Sequence, residues 1–257
     1  MILNIGHRGF GVHAVENTLT AFKRAIDYEI DMIEFDVRLT KDDEVVVFHD
    51  PTLKRLSSVA VKVQDIDFDS LRKFRIFLKR EKNREAQFDY IPSLREVLEL
   101  VQDKISLNIE LKYSKQRSLL LVKKVLELVK EYDMSSRVIL SSFSSEMLEM
   151  VSHVDDSIRC GYIFHSRAKK NTNSHFSNCS LYSIHPYKGI VGKRLIQQAK
   201  DNSLKVLPWT VNSAKLMKKL IALEVDGIIT NYPIKLANLL LAEGLSNIET
   251  PNDRKKK

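Results

Sequence analysis

The sequence has few cysteines, no long apolar run and no basic segment followed by an apolar run at its amino terminus. Its two cysteines, Cys160 and Cys179, show no metal-ligand or redox spacing, so we expect reduced, buried thiols without chemistry. No uncharged apolar stretch approaches the roughly 20 residues that cross a bilayer. From these absences we expect a chain that does not span a membrane, an amino terminus that forms a first strand and not a secretion signal, and a cytoplasmic location.

The net charge of +8 and the pI near 9.3 suit a nucleic-acid binder, a membrane-surface protein or an enzyme for anionic substrates. Lysines and arginines alternate with acids along predicted helices, and no nucleic-acid motif accompanies them. We therefore expect no nucleic-acid partner. Residues 1–245 are predicted to form one domain, and residues 246–257 a polar, basic tail whose alternative role is weak binding to an anionic surface.

Short β-branched runs alternate with amphipathic segments along the whole chain. Strands are predicted at residues 3–6, 32–39, 45–49, 106–112, 137–142, 158–164, 181–185, 206–211 and 227–230. Helices are predicted at residues 18–29, 94–101, 119–132, 146–151, 193–202, 214–224 and 234–241, with N-caps at Asn17, Ser93, Ser145 and Ser213. This order predicts an α/β fold, a (β/α)8 TIM barrel, with two short extra pieces.

Residues 50–90 do not follow the alternation, and they include the charged run 79–85. We interpret them as an insertion after the strand that ends at His49. Loops that follow barrel strands build active sites, so the insertion is expected to shape a pocket; a decorative loop is the alternative.

Acidic residues alternate with apolar ones in two of the predicted strands. Glu34 and Asp36 share one face of residues 32–39, and Glu110 shares a face with Asn108 and Lys112. With the apolar face packed on helices, the acids point inward, where burial without a partner is costly. Three carboxylates suit a hard cation such as Mg²⁺ or Ca²⁺. Internal salt bridges with Arg38 and Lys112 are the alternative.

Two histidines stand at predicted strand ends, where barrel catalysts usually lie. His7 and His49 could exchange protons with a phosphodiester, although each alone is more often structural. Arg8 and Lys112 could bind phosphate oxygens or pair with the acids. Trp209 could form an apolar wall against substrate carbons or pack in the core.

The remaining histidines carry weaker predictions. His185 is equally compatible with lining the mouth and with packing. The other four are interpreted as solvated or structural: His13, His153, His165 and His175.

Ten short segments, in this order, resemble the glycerophosphodiester phosphodiesterase family over nearly the whole chain. They are His7-Arg8-Gly9, Glu16-Asn17-Thr18, Ala21-Phe22, Glu34-Phe35-Asp36-Val37, Thr40-Lys41-Asp42, Val46-Val47-Phe48-His49-Asp50, Ile91-Pro92-Ser93-Leu94, Asn108-Ile109-Glu110-Leu111-Lys112, Trp209-Thr210-Val211-Asn212 and Asp226-Gly227-Ile228-Ile229-Thr230-Asn231-Tyr232-Pro233.

The resemblance implies a (β/α)8 barrel with an insertion after the second histidine. It also implies a divalent cation on Glu34, Asp36 and Glu110, and acid–base catalysis by His7 and His49. Arg8 and Lys112 carry over as phosphate ligands. The implied reaction is hydrolysis of glycerophosphodiesters to glycerol 3-phosphate and an alcohol.

Three other functions stay open from the sequence. A lysophospholipase D type of enzyme would act on lipid substrates, and a catalytically silent barrel would only bind phosphodiester head groups. A nucleic-acid binder would show steeply salt-dependent affinity.

Overall fold

The computed structural model describes residues 2–78, 87–166 and 179–245, and these residues form a (β/α)8 barrel. The strands are β1 Leu3–His7, β2 Met32–Leu39, β3 Val45–Val47, β4 Ile76–Phe77, β5 Phe88–Asp89, β6 Ser106–Leu111, β7 Val138–Ser142, β8 Arg159–Phe164, β9 Leu181–Pro186, β10 Lys205–Val206 and β11 Gly227–Thr230. The helices are α1 Leu19–Asp27, α2 Lys54–Ser57, α3 Phe68–Leu71, α4 Leu94–Val101, α5 Ser118–Glu131, α6 Ser145–Val154, α7 Lys193–Asp201, α8 Ala214–Ala222 and α9 Pro233–Ala242.

Eight parallel strands form the barrel wall in the order β10-β9-β8-β7-β6-β2-β1-β11. Backbone hydrogen bonds then join the segment after β10 to β11. The amide of Ile229 donates to Pro208 at 3.0 Å, and that of Val211 donates to Ile229 at 2.9 Å. These bonds connect the two ends of the strand order, so the predicted barrel fold is confirmed.

The predicted strand 45–49 is not one of the parallel strands of the barrel. Only Val45–Val47 is extended, and it pairs antiparallel with the end of β2, with Val37 opposite Val47. A two-residue to five-residue connection permits an antiparallel hairpin, whereas a parallel neighbour needs a longer crossover. His49 therefore follows a hairpin strand that returns from β2.

The alternation in β2 sorts its side chains between two layers. Ile33, Phe35 and Val37 join the large apolar cluster between strands and helices. Met32 faces the barrel interior, where it packs with apolar residues of other staves. Glu34 and Asp36 share the inward side of the strand with Met32, because successive side chains alternate.

Two of the predicted N-caps are displaced by one residue. α1 is capped by Thr18, whose hydroxyl accepts from the amide of Ala21 at 3.2 Å, and Asn17 has a different role described below. α6 is capped by Ser144 instead of Ser145. Neighbouring residues of similar type make such boundaries ambiguous in sequence.

The segment between β3 and α4 forms a small unit on the barrel rim. It contains α2, α3 and the antiparallel pair β4–β5, and its apolar residues build a separate cluster around Leu53, Leu71 and Ile76. The charged run 79–85 and the predicted tail 246–257 lie outside the described residues. The proposed division into one domain and a tail stays a prediction.

The two cysteines are both free thiols, and they differ in exposure. Cys160 is buried on β8, whereas Cys179 is only partly buried, so the prediction of two buried thiols is wrong for Cys179. Among residues 2–78, 87–166 and 179–245, no helix has the length and apolarity needed to span a membrane.

Ser93 and Ser213 provide a matched test of helix capping. Ser93 forms a capping box with Glu96 at α4, whereas the Ser213 side chain makes no capping bond in the described structure. We expect Ser93→Ala to lower the free energy of unfolding by about 1 kcal/mol, measured by urea denaturation. Ser213→Ala should cost much less, and equal losses in the two variants would contradict this assignment.

Candidate active site

Three acidic side chains meet inside the barrel toward the carboxyl ends of their strands. Glu34 and Asp36 lie on β2 and Glu110 on β6, and the parallel register places Asp36 directly beside Glu110. One oxygen of each residue lies within 4.8 Å of the others, and all three side chains are buried. The two alternating patterns therefore produce one acidic cluster.

Two cations pair with this cluster through different oxygens of Asp36. The Lys112 ammonium lies 2.7 Å from Asp36 Oδ1 and also donates to Glu110. Arg8 Nε lies 3.4 Å from Asp36 Oδ2. Arg38, the other cation considered from the sequence, instead donates from Nε to the His49 backbone oxygen at 2.9 Å. The cluster has three carboxylates and only two paired cations, Lys112 and Arg8, so one formal negative charge is not balanced.

The three carboxyl groups respond differently to burial. Burial raises the pKa of Glu34 well above its usual value, and repulsion from the other two acids adds to the rise. Burial likewise raises the pKa of Glu110 to about 7, with repulsion from Asp36 contributing. Burial opposes ionisation of Asp36 too, but Lys112 and Arg8 outweigh it and hold the pKa of Asp36 below its usual range. The cluster thus favours additional positive charge.

Asn108 supplies a further polar group beside the acids. It points inward from β6, and its register partner on β2 is Glu34. Both its side-chain oxygen and its nitrogen are buried and make no hydrogen bond within the described part of the chain. Buried polar groups are normally satisfied, so Asn108 is suited to a ligand or water. Carboxylate and amide oxygens are the donors that hard divalent cations prefer.

The turn after β1 points a backbone amide at the acidic cluster. Arg8 has a positive φ of 54°, and its amide donates to Glu34 Oε2 at 3.1 Å. Gly9 follows with φ 98°, and a Cβ there would lie 2.7 Å from Ala21 Cβ. Positive φ in a non-glycine residue is uncommon and is found at functional turns.

Each of the two predicted catalytic histidines has its Nδ1 held by an oxygen. His7 Nδ1 lies 2.6 Å from the side-chain oxygen of Asn231, and its Nε2 lies 3.9 Å from Glu34 Oε2. His49 Nδ1 lies 2.6 Å from Asp50 Oδ1. Because both partners accept, Nδ1 carries the proton in each ring and Nε2 is the nitrogen left for chemistry.

Both histidines are neutral near pH 7. Burial lowers the pKa of His7 to about 4, and the positive charge of Arg8 adds to the effect. Burial also lowers the pKa of His49, assisted by Lys112 and Arg8 and opposed by Asp36. Neutral rings with Nδ1 protonated present an accepting Nε2, which is the form that a general base requires.

A cavity of about 210 Å³ opens over the acidic cluster. Its lining combines polar residues of the cluster with apolar residues from later staves: His7, Arg8, Glu34, His49, Asn108, Glu110, Phe143, Ile163, His165, His185, Trp209 and Ile229. One side of the cavity is thus charged, and the opposite side is largely apolar and aromatic.

The aromatic side is a connected group of rings around Trp209. Its indole Nε1 donates to the His185 backbone oxygen at 2.8 Å, which fixes the ring plane. His165 lies 4.8 Å from Trp209 and 5.2 Å from Phe143, measured between ring centroids. Tyr187 packs against Trp209 at 6.0 Å. Phe143 and Tyr187 are more than a third exposed, so the group forms part of the rim.

The eight site residues predicted from sequence lie together. Six line the cavity, Asp36 lies in the acidic cluster with Glu34 and Glu110, and Lys112 contacts Asp36 and Glu110. His185 lines the cavity as well, with its Nε2 2.9 Å from Ser183 Oγ, and burial lowers its pKa to about 3. The interpretation of His165 as merely solvated or structural omitted its place in the lining. His175 lies outside the described residues.

Several residues at the site were missed as participants. The Asn17 amide donates to Asp36 Oδ2 at 2.9 Å, although the sequence suggested a helix cap. Asn231 holds His7, and Glu16 binds Arg8 Nη1 at 2.6 Å. Their only sequence signal was membership of the motifs that carried the resemblance. Asp50 belonged to the same motifs, whereas Arg55 had no signal.

Residues 7–235 match the family described as Glycerophosphoryl diester phosphodiesterase family. The chain belongs to this family.

Relatives within this family extend over most of the chain. A glycerophosphodiester phosphodiesterase of Caldanaerobacter subterraneus subsp. tengcongensis is 35% identical over 243 residues, which cover 94% of this chain and 99% of the relative. A lysophospholipase D of Mus musculus is 28% identical over 272 residues, covering 92% and 85% respectively. An Oleispira antarctica phosphodiesterase, solved in complex with the product sn-glycerol-3-phosphate, is 25% identical with a TM-score of 0.81, covering 92% and 95%.

Because the pKa of Glu110 is raised, we expect this phosphodiesterase-family protein to bind a metal ion in a pH-dependent way. Below its pKa of about 7, Glu110 is protonated and a poor ligand, so protons and metal compete. We expect Mg²⁺ affinity, measured by isothermal titration calorimetry, to rise about tenfold from pH 6 to pH 8 through Glu110 alone.

Two variants distinguish this competition from a general charge effect. Glu110→Gln should weaken Mg²⁺ binding and flatten its pH dependence. Glu127→Gln removes an exposed acid of α5 and should leave both unchanged. Equal affinity of the unaltered protein at the two pH values would rule out Glu110 as the competing group.

Proposed function

We propose that this protein is a divalent-cation-dependent phosphodiesterase that hydrolyses glycerophosphodiesters to glycerol 3-phosphate and an alcohol. One observation carries the proposal: a cluster of three buried carboxylates, two of which line the cavity, lies beside two histidines that line the same cavity. Membership of the family and the named activity of its relatives support the same reaction.

Glu34, Asp36 and Glu110 would hold the cation, with Asn108 beside them as a further oxygen donor. Mg²⁺ and Ca²⁺ both fit this oxygen donor set. When bound, such a cation supplies positive charge that stabilises the anionic diester and its more negative transition state.

Arg8 and Lys112 are proposed to contact the nonbridging phosphate oxygens. Lys112 uses two of its three donors on Asp36 and Glu110, which leaves one for a ligand. Arg8 lines the cavity while its Nη1 binds Glu16, so its position is fixed before substrate arrives. Both groups then act without reorganisation.

His7 and His49 are proposed as the acid–base pair. In the overall reaction a water oxygen becomes bonded to phosphorus, the bond from phosphorus to the alcohol oxygen breaks, and the departing alkoxide takes a proton. The Nε2 atoms of the two rings are the groups that can accept the proton of the attacking oxygen and return one to the alkoxide.

Trp209 is proposed to contact the carbon atoms of the substrate. A second substrate class, lysophospholipids with one acyl chain, is favoured by the exposed aromatic rim of Phe143 and Tyr187 and by the lysophospholipase D relative. Either class places the protein in glycerol or lipid metabolism. Cytoplasmic location and the absence of nucleic-acid binding stay predictions.

Product analysis with the purified protein tests this function. Glycerophosphocholine, glycerophosphoethanolamine and a lysophosphatidylcholine are incubated with Mg²⁺, Ca²⁺ or a chelator, and the products are identified by mass spectrometry. With a divalent cation we expect glycerol 3-phosphate from the two glycerophosphodiesters, and lysophosphatidic acid from lysophosphatidylcholine if lysophospholipids are also substrates. Neither product should form with chelator. Phosphate-containing products that form equally with chelator would exclude the cation-dependent reaction, and binding without turnover would favour a silent barrel.

Two histidine variants, one at the site and one control, test the assignment of acid–base catalysis. His49→Ala should lower kcat by roughly two to four orders of magnitude, because it removes a proton-transfer group. His153→Ala, at an exposed position of α6, is the control and should retain normal turnover. Near-normal turnover of His49→Ala would remove His49 from this role.

A further inference from the structure

One arginine of the inserted segment bridges two carboxylates at the edge of the site. Arg55, on α2, lies with Nε 2.5 Å from Asp50 Oδ2. Its Nη1 and Nη2 donate to the two oxygens of Glu16 at 2.8 and 2.6 Å. Arg55 thus uses three nitrogens on two acids that are 34 residues apart in the chain (50 − 16).

Each of these acids also binds a residue of the proposed catalytic machinery. Asp50 uses its other oxygen, Oδ1, on His49 Nδ1 at 2.6 Å. Glu16 shares Oε1 with Arg8 Nη1 at 2.6 Å. A continuous series of charge-assisted contacts therefore runs from His49 through Arg55 to Arg8, and Arg55 is its centre.

We propose that Arg55 is a positioning residue, which fixes His49 through Asp50 and Arg8 through Glu16, so that the inserted segment sets the geometry of catalysis. The inference rests on the proposed function of His49 and Arg8. It assigns a role to Arg55, which belongs neither to the acidic cluster nor to a barrel strand.

The shape of the guanidinium makes this role specific to arginine. Its planar fork directs Nε and the two Nη atoms in fixed directions, whereas a lysine ammonium is a single flexible point charge. The contacts also keep both acids ionised. Burial raises the pKa of Glu16, but hydrogen bonds from Arg55 and Arg8 outweigh burial and hold this pKa below its usual value. The pKa of Asp50 is likewise lowered, because hydrogen bonds from Arg55 and His49 outweigh burial.

An ionised Asp50 determines which nitrogen of His49 is protonated. A carboxylate only accepts hydrogen bonds, so His49 must donate from Nδ1 and present Nε2 to the cavity. Without Arg55, Asp50 is free to rotate and His49 loses its fixed tautomer and orientation. Arg8 keeps its own contacts with Glu16 and Asp36 when Arg55 is lost, so the loss should affect turnover through His49 more than substrate affinity through Arg8.

Steady-state kinetics of Arg55→Met test this separation. We expect kcat to fall about 10- to 100-fold, with KM changed less than about threefold. Arg72→Met is the matched control, because exposed Arg72 lies in the same inserted segment and pairs with half-buried Glu96. Arg72→Met should keep kcat within about twofold. A rise in KM with kcat intact would instead show that Arg55 acts on substrate binding and not on the orientation of His49, and would overturn the proposal.

A conservative variant and a double variant test how Arg55 acts. Arg55→Lys keeps the charge, and it should recover less than a third of the lost kcat; full recovery would show that only charge matters. Asp50→Asn should lower kcat to a similar extent as Arg55→Met. The kcat of the double variant should lie within about threefold of the kcat of the less active single variant. Losses that multiply in the double variant would show that the two residues act independently.

Nuclear magnetic resonance of the histidine rings gives a readout independent of turnover. Long-range ¹H–¹⁵N spectra report which ring nitrogen carries the proton, and His49→Asn assigns the His49 signals. In Arg55→Met the His49 tautomer signal should shift toward a mixture, while exposed His153 stays unchanged. An unchanged His49 signal in a folded Arg55→Met or Arg55→Lys protein would overturn the proposal. An inactive unaltered protein would refute the proposed function alone, since the ring signals can still be compared.

Discussion

Repulsion among three buried carboxylates is the constraint on which the rest of the site depends. Glu34, Asp36 and Glu110 meet because all three point inward and the parallel pairing of β2 with β6 places Asp36 beside Glu110. Burial makes each charge costly, and Lys112 with Arg8 balances only two of the three. The site is therefore arranged to receive more positive charge, which a divalent cation supplies.

The surrounding residues hold this cluster in one geometry. Asn17 donates to Asp36, and the Arg8 amide donates to Glu34 from a turn with positive φ. Such contacts leave the acids little freedom to move apart. They also explain why loops at this end of the barrel contain strained or buried polar residues, since a rigid site must be supported from outside its ligands.

The inserted segment links the two halves of the site through contacts that the barrel itself cannot make. Barrel strands present inward side chains, but the rings of His7 and His49 must also be oriented from behind. Asn231 performs this for His7, and Asp50 performs it for His49 with Arg55 beyond it. A packed apolar cluster beneath the segment gives α2 a fixed place on the rim. Stability of the insertion and orientation of His49 are thereby connected.

The sequence by itself predicted the barrel fold, the inward direction of the acids and the eight residues that lie together at the cavity and in the acidic cluster. These features follow from a two-residue strand period and from motifs carried by neighbouring residues, so they are local. Tertiary structure alone decided that residues 45–47 pair antiparallel with β2, that Asn17 holds Asp36, and that Arg55 joins Glu16 to Asp50. Such contacts depend on loop conformation and barrel closure, which join residues far apart in the chain, and no local pattern encodes them.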